Sequence, residues 1–322
     1  MNRRITRVPL LSIDNLQTRY PTSRGTLRAV DGVSLRIEKG ETLALVGESG
    51  CGKSTLGKSV LRLIPHSGGS IRFDGVDIGA LSGGALKPWR RRMQMVFQDP
   101  SASLNPRQTV GTILAAPLVV HKAGDRAERR RQMEAIVEQV GLPRDALSRY
   151  PHEFSGGQKQ RIGIARALIL KPDLIVCDEP VSALDVSIQA QILNLLVKLR
   201  GGDQLSYLFI SHDLGVVRYI ADRIAVMYLG RIVENAPHGS LWRRPLHPYT
   251  RGLIQAVPGQ TDPGRRNRQA PLAGDLPDPL DPPRGCRCHP RCALATDICR
   301  TTEPELRTVL PDHETACHLA AA

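Results

Sequence analysis

Residues 47–54 read GESGCGKS, directly behind the apolar run TLALV (42–46) and ahead of SVLRLI (59–64), a stretch with helical spacing. The text fits G-x-x-x-x-G-K-[ST] in the place where that pattern has chemical meaning, between a buried strand and the start of a helix. Glycines there let backbone N–H groups turn inward around phosphates, the lysine offers a cation to the β and γ oxygens, and the hydroxyl is suited to Mg²⁺. Gly47, Ser49, Gly50, Cys51, Gly52, Lys53 and Ser54 are therefore expected to cradle phosphates, with Thr55 in support.

Working outward, the chain alternates short apolar runs with helical patterns. Residues 26–37 alternate like a half-buried strand, and KGE (39–41) reads as a tight turn into TLALV; GGSIRFDGVDI (68–78) reads as a hairpin. MQMVFQ (93–98) leads into the loop DPSASLNPR (99–107), residues 125–140 are charged and helical, and SGGQKQRIGIARALIL (155–170) has helical spacing behind a Ser-Gly-Gly start. LIVC (174–177), YLFIS (207–211) and IAVMYLG (224–230) are short and wholly apolar, with helices between them. That alternation predicts an α/β fold with a parallel sheet and helices packed on it.

Two further segments add chemistry. LIVCDE (174–179) sets Asp178 and Glu179 at the end of an apolar strand, where parallel sheets hold ligands; Asp178 suits Mg²⁺ and Glu179 suits an attacking water. FSGGQ (154–158) opens a helix, so that the Ser155 hydroxyl and the amides of Gly156 and Gly157 present an anion site at the positive end of its dipole.

Bulk properties narrow the class. A net charge of +13 over 322 residues, with Arg runs at 90–92, 129–131 and 265–268, suits phosphates or an anionic membrane face. Scarce aromatic residues and the lack of any nucleic-acid module argue against a nucleic-acid partner. No run of eighteen apolar residues is present and the N-terminus does not read as a secretory signal, so a cytosolic chain is expected. From about Pro258 the text turns to Pro, Gly and charge, as in a linker, and GCRCHPRCALATDIC (285–299) then concentrates four of the seven cysteines. In a reducing compartment such clustering reads as metal ligation rather than as disulfides.

The loop 47–54, the acidic strand end and FSGGQ together resemble the ATP-binding-cassette (ABC) ATPases, over roughly residues 12–256. The resemblance implies a P-loop NTPase cassette with a RecA-like core, an antiparallel β subdomain and an α-helical subdomain, cofactors ATP and Mg²⁺, and a set of roles. Tyr20 resembles the aromatic that stacks on adenine. Gln98 resembles the Q-loop glutamine that meets Mg²⁺ and water, alongside Ser54 and Asp178 as metal ligands. Glu179 takes the catalytic carboxylate's place, His212 that of the switch histidine on the γ-phosphate, and SALD (182–185) that of the loop crossing between subunits. Ser155, Gly156, Gly157 and Gln158 resemble the signature that serves the nucleotide held by a second subunit; Phe154 stands where leucine is more frequent.

FQDPSASLNPR, VSALDVSIQAQILNLL, HPYTRGLIQAVP and the cysteine-rich tail are similar, more narrowly, to the ATPase subunits of oligopeptide and dipeptide importers, a branch that also serves nickel and related solutes such as glutathione. The likeness implies a cassette at 1–257 and a C-terminal extension at 258–322. It implies two membrane permeases, a homologous ATPase in a hetero- or homodimer, an extracytoplasmic solute-binding protein, and a peripheral place on the cytoplasmic face of the membrane. The phosphate loop begins at residue 47, which leaves no expected room for fused membrane helices upstream. A soluble ABC ATPase of DNA repair or translation is the competing class. It fits less well, since such chains usually interrupt the cassette with coiled coils or carry two phosphate loops. Cys286, Cys292, Cys299 and Cys317 are placed like the family's four tail cysteines, which in some members implies a [4Fe–4S] cluster, with zinc or plain unligated thiols as the alternatives; Cys288 departs from the pattern and stands either as a substitute ligand or as a spectator.

Overall fold

The computed structural model describes residues 8–203, 205–257 and 274–321; the linker 258–273 and the basic run 265–268 within it lie outside the described residues. The twelve strands among the described residues are β1 Leu11–Thr22, β2 Gly25–Ile37, β3 Thr42–Val46, β4 Gly68–Phe73, β5 Val76–Asp77, β6 Met93–Val96, β7 Leu174–Asp178, β8 Ser206–Ser211, β9 Arg223–Tyr228, β10 Arg231–Pro237, β11 Arg307–Leu310 and β12 His313–Thr315. The chain divides into two compact units, 1–80 with 210–322, and 81–209.

In the first unit β1 and β2 form a long antiparallel pair from Leu11↔Ile37 to Thr22↔Gly25, and β4 and β5 complete a four-stranded sheet in the order β2-β1-β4-β5. The alternation in the sequence is realised: Val33, Leu35 and Ile37 are buried while Ser34 and Arg36 face solvent. The expected turn at KGE (39–41) forms, closed by Glu41 N–H donating to Glu38 O at 3.1 Å. The strands on either side of it do not pair, however, because β2 joins β1 and β3 leaves for another sheet. β3 pairs in parallel with β9, from Leu43↔Arg223 to Val46↔Val226, and all five of its residues are buried, which is why its text is continuously apolar instead of alternating. Antiparallel β10 follows β9, β12 pairs with β10 and β11 with β12, two tail strands that no sequence pattern announced.

The second unit carries the helices Gly83–Arg92, Val110–Val120, Arg126–Gln139, Gly156–Leu168 and Val186–Asp203, with β6 and β7 in parallel register from Met93↔Leu174 to Val96↔Cys177. β7 is wholly buried. Its connections place two functional segments at once: Gln98 follows the end of β6, and Asp178 and Glu179 stand at the end of β7. No helix among the described residues is long and apolar enough to cross a membrane.

Candidate functional site

In the first unit the loop 47–54 joins the end of β3 to the helix Lys53–Val60. Two glycines are required by space as well as by conformation. A Cβ on Gly47 would meet the Met227 carbonyl at 2.2 Å, and one on Gly52, whose φ is +107°, would meet the Ala29 carbonyl at 2.0 Å. Gly50 has open space instead, on the exposed side of the loop with Ser49. Lys53 is 5% exposed. Its Nζ donates to Gly47 O at 2.8 Å and Glu48 O at 2.9 Å, so the ammonium lies inside the ring of the loop it would share with a phosphate. Ser54 and Thr55 occupy the first turn of the helix, whose N-cap is Gly52. Cys51 is buried under the loop, and burial pushes its thiol up, so it acts as a small apolar side chain. An open loop of inward backbone, a lysine and a helix start fit a nucleotide's phosphates with Mg²⁺.

Tyr20, in β1 opposite Leu27 of β2, keeps its ring partly exposed in the same unit. His212 is exposed immediately after β8, where Asp213 caps the next helix by accepting from Gly215 N–H at 2.7 Å.

The second unit brings Gln98 and Glu179 together: the Gln98 Nε2 donates to Glu179 Oε2 at 3.0 Å. Asp178 is buried beside them in sequence at the end of β7. Glu179 holds a left-handed φ of +45°, uncommon for a non-glycine, and its carbonyl accepts from the Ser182 hydroxyl at 3.1 Å and the Ser182 N–H at 3.3 Å. Backbone strain of this kind, about 1–3 kcal/mol, persists where the surroundings fix a functional side chain's direction. Cys177 is fully buried in β7, and burial drives its thiol far upward.

The segment 155–158 closes on itself as a capping box. Gln158 N–H donates to the Ser155 hydroxyl at 3.4 Å, and Ser155 N–H donates to Gln158 Oε1 at 3.0 Å. Ser155, Gly156 and Gln158 face solvent. Gly157 is buried, and a Cβ there would sit 2.5 Å from Ile188 Cγ2 of the helix Val186–Asp203.

A family profile described as ABC transporter matches residues 30–182, and another, described as the C-terminal region of oligopeptide/dipeptide transporters, matches 233–299. Over 313 residues the chain is 54% identical to a putative peptide import ATP-binding protein of Brucella ovis, covering 97% of this chain and 98% of that one. The chain belongs to the ABC transporter ATPases. It is also 52% identical over 297 residues to the oligopeptide transport ATP-binding protein AppF of Bacillus subtilis, covering 92% of this chain and 90% of AppF. Among solved structures, an ATP-binding cassette determined as a dimer in a post-hydrolysis state with ADP and Pi aligns with a TM-score of 0.65 and 29% identity, over 71% of this chain and 98% of that one.

The ABC ATPase has a second set of polar contacts, which the sequence patterns did not single out, around its tail. Glu234 of β10 is fully buried and accepts from Leu246 N–H at 2.7 Å, from His247 N–H at 3.0 Å and from His313 Nε2 at 2.7 Å. One carboxylate thereby fastens the tail strand β12 to the start of the HPYT segment. His247 is buried in turn, its Nδ1 accepting from Tyr249 N–H at 3.1 Å, and burial lowers its pKa to about 4. Asp31 of β2 is gripped by Arg287, which also donates to Leu229 O. Burial acts to raise the Asp31 pKa, but Arg287, Arg231 and Arg28 outweigh it and hold the carboxyl below its usual range.

The cysteines of the tail stand near one another, with Cys286 N–H donating to Cys299 O at 2.9 Å. Burial pushes the Cys286 thiol up to about 11 and moves Cys288, Cys292 and Cys317 in the same direction. Cluster ligation calls for thiolates converging on one point. Among the described residues no group of three or more His, Cys, Asp or Glu side chains is placed to hold a metal ion, so the arrangement gives no support to a [4Fe–4S] cluster or zinc on Cys286, Cys292, Cys299 and Cys317.

Proposed function

We propose that this chain is the ATP-hydrolysing subunit that powers import of oligopeptides or dipeptides, with residues 1–257 as the cassette and 258–322 as the extension of that branch. The observation that carries the substrate class is likeness along nearly the whole chain, tail included, to peptide import ATP-binding proteins. The proposed assembly has two such ATPases, identical or homologous, two membrane permeases and an extracytoplasmic solute-binding protein, with the chain peripheral on the cytoplasmic face. No nucleic acid takes part.

In this reading Gly47, Ser49, Gly50, Cys51, Gly52, Lys53, Ser54 and Thr55 hold the ATP phosphates and Tyr20 stacks on the adenine. Ser54, Gln98 and Asp178 would hold Mg²⁺, which would supply positive charge to offset that of the phosphates. Glu179 orients the attacking water, and its contact with Gln98 makes its direction sensitive to the loop 99–107, proposed to receive a permease's cytoplasmic helix. His212 reads the γ-phosphate. Ser155, Gly156, Gly157 and Gln158, being largely solvent-facing and already capped, are presented to the ATP of a second subunit.

The test is Glu179→Gln, read by MgATP binding, by hydrolysis, and by uptake of a labelled peptide into vesicles carrying the full transporter. Binding should persist while hydrolysis and uptake fall about 10²-fold or more. Wild-type turnover in the variant would remove Glu179 from its role. Peptide-independent uptake of another solute would remove the substrate class.

A further inference from the structure

Glu48 is the one acidic residue of the loop 47–54, and the structure holds it from three directions. Its N–H donates to the Tyr249 hydroxyl at 2.9 Å. Its carbonyl accepts from Lys53 Nζ at 2.9 Å. Its carboxylate is gripped by both ends of a guanidinium from the tail, Arg291 Nη1 to Oε2 at 2.8 Å and Nη2 to Oε1 at 3.1 Å. Exposure is 9% for the arginine side chain and 28% for the glutamate, so this is a bidentate, largely desolvated pair and not a loose surface contact.

The arginine is itself fixed. It ends the short 3₁₀ turn His289–Arg291, with its N–H on Cys288 O at 3.0 Å, and its guanidinium carbon lies 6.0 Å from the centre of the Tyr228 ring. Tyr228 packs edge-on against Tyr249 with ring centroids 4.6 Å apart, so the two side chains that hold Glu48 lean on a common ring. Burial works against the charge of Arg291, but Glu48 outweighs it and drives the pKa upward.

A carboxylate on a loop whose task is to receive several phosphate charges is an electrostatic liability unless it is neutralised. Its direction matters too, since the same residue supplies a carbonyl to the lysine of the cradle. We propose that Arg291 is a positioning residue for the ATP site: from the tail it neutralises Glu48 and pins the loop 47–54 in the geometry that accepts MgATP. The proposal rests on that loop being the phosphate site. It makes the C-terminal extension a part of nucleotide binding, with the turn 286–292 as the point of contact.

MgATP affinity of the full-length chain, measured by calorimetry, tests it with Arg291→Ala, Glu48→Gln and the double variant, each checked for folding by circular dichroism and thermal unfolding. Arg291→Ala should weaken MgATP about 5- to 150-fold, the usual range for coupling between distinct sites. Glu48→Gln alone should change it less than about 3-fold. The double variant should recover part of that loss, because the charge that needed the arginine is gone while the pin on the loop is not restored; Arg291→Lys should fall between wild type and Arg291→Ala. Wild-type affinity in folded Arg291→Ala overturns the proposal. So does a double variant that binds as weakly as Arg291→Ala, or one that fails to fold, since either makes the arginine structural only. Lys53→Ala separates the two levels: if it too leaves MgATP affinity intact, the phosphate-site reading fails, whereas loss in Lys53→Ala with none in Arg291→Ala sinks only the role of the tail.

Discussion

Replacing Glu234 by alanine should be among the most damaging single changes in the chain, although the residue touches no nucleotide. The side chain is fully buried and accepts three hydrogen bonds, two from backbone N–H groups of Leu246 and His247 and one from His313. Hydrogen bonds to a charged group contribute about 1.5–3 kcal/mol each, and removal of the acceptor leaves buried donors facing nothing. With partial relief from water entering the space, the loss comes to about 4–6 kcal/mol. At about 2–4 °C per kcal/mol for a unit of this size, the apparent Tm falls by about 10–20 °C. Differential scanning calorimetry measures it, and tryptic cleavage in the tail at Arg300 or Arg307 should accelerate with it, because His313 loses its hold on β10. Arg130→Ala serves as the control. It breaks an exposed i,i+4 pair with Glu134, 2.9 Å long, that is worth no more than about 0.5 kcal/mol. A drop below about 1 kcal/mol for Glu234→Ala, comparable with this control, would refute the reasoning and mean that the three donors find other partners.

Gly52→Ala should abolish MgATP binding or folding, since the new methyl would lie 2.0 Å from the Ala29 carbonyl at φ +107°; MgATP binding at wild-type strength would show that the loop can rearrange. Stability should fall with pH below about 6.5: folded His247, at about 4, refuses a proton that the unfolded chain accepts, so its contribution is complete above 6.5 and is lost at about 1.4 kcal/mol per unit down towards 4. His247→Asn, which keeps an acceptor for Tyr249 N–H, should flatten that part of a denaturant-midpoint profile. Charge reversal at Arg107 should lower peptide uptake in reconstituted vesicles while MgATP affinity of the isolated chain stays within about 2-fold, since surface changes usually cost under about 0.5 kcal/mol; equal losses would point to a folding defect.

The phosphate loop could be read directly because its chemistry is local: the glycines, Lys53 and Ser54 are contiguous, and the strand before them is apolar on both faces. β7 with Asp178 and Glu179 was legible for the same reason. The pairing of β2 was not, since alternation in residues 26–37 reports a half-buried strand without naming its neighbour. The clasp on Glu48 was hidden more deeply, because Arg291 lies 243 positions away and looks like one more basic residue in a cationic tail. The only hint was Tyr249 in HPYT, an aromatic with a hydroxyl just after a proline, which suggests a buried ring needing a partner. Glu234 carried a clearer signal. An acidic residue directly behind Ile232 and Val233 of β10 is unusual enough to imply buried counter-groups, here donated by Leu246, His247 and His313. The cysteines show the opposite failure, a strong sequence pattern whose side chains are gathered without forming a metal site among the described residues.

The two tail strands have a consequence for how the protein behaves if its C-terminus is lost. β12 lies along β10 through Glu234↔Thr315 and Asn235↔Glu314, with Ala316 N–H on Val233 O at 2.8 Å, so it occupies hydrogen-bonding groups that β10 would otherwise offer to any passing strand. A chain cut after residue 257 would keep its phosphate loop yet expose a raw sheet edge, an invitation to self-association during synthesis. The extension thus acts as a selvedge: it finishes the weave on one side, so that proteolytic clipping would be expected to yield insoluble aggregates before it yields a smaller soluble cassette.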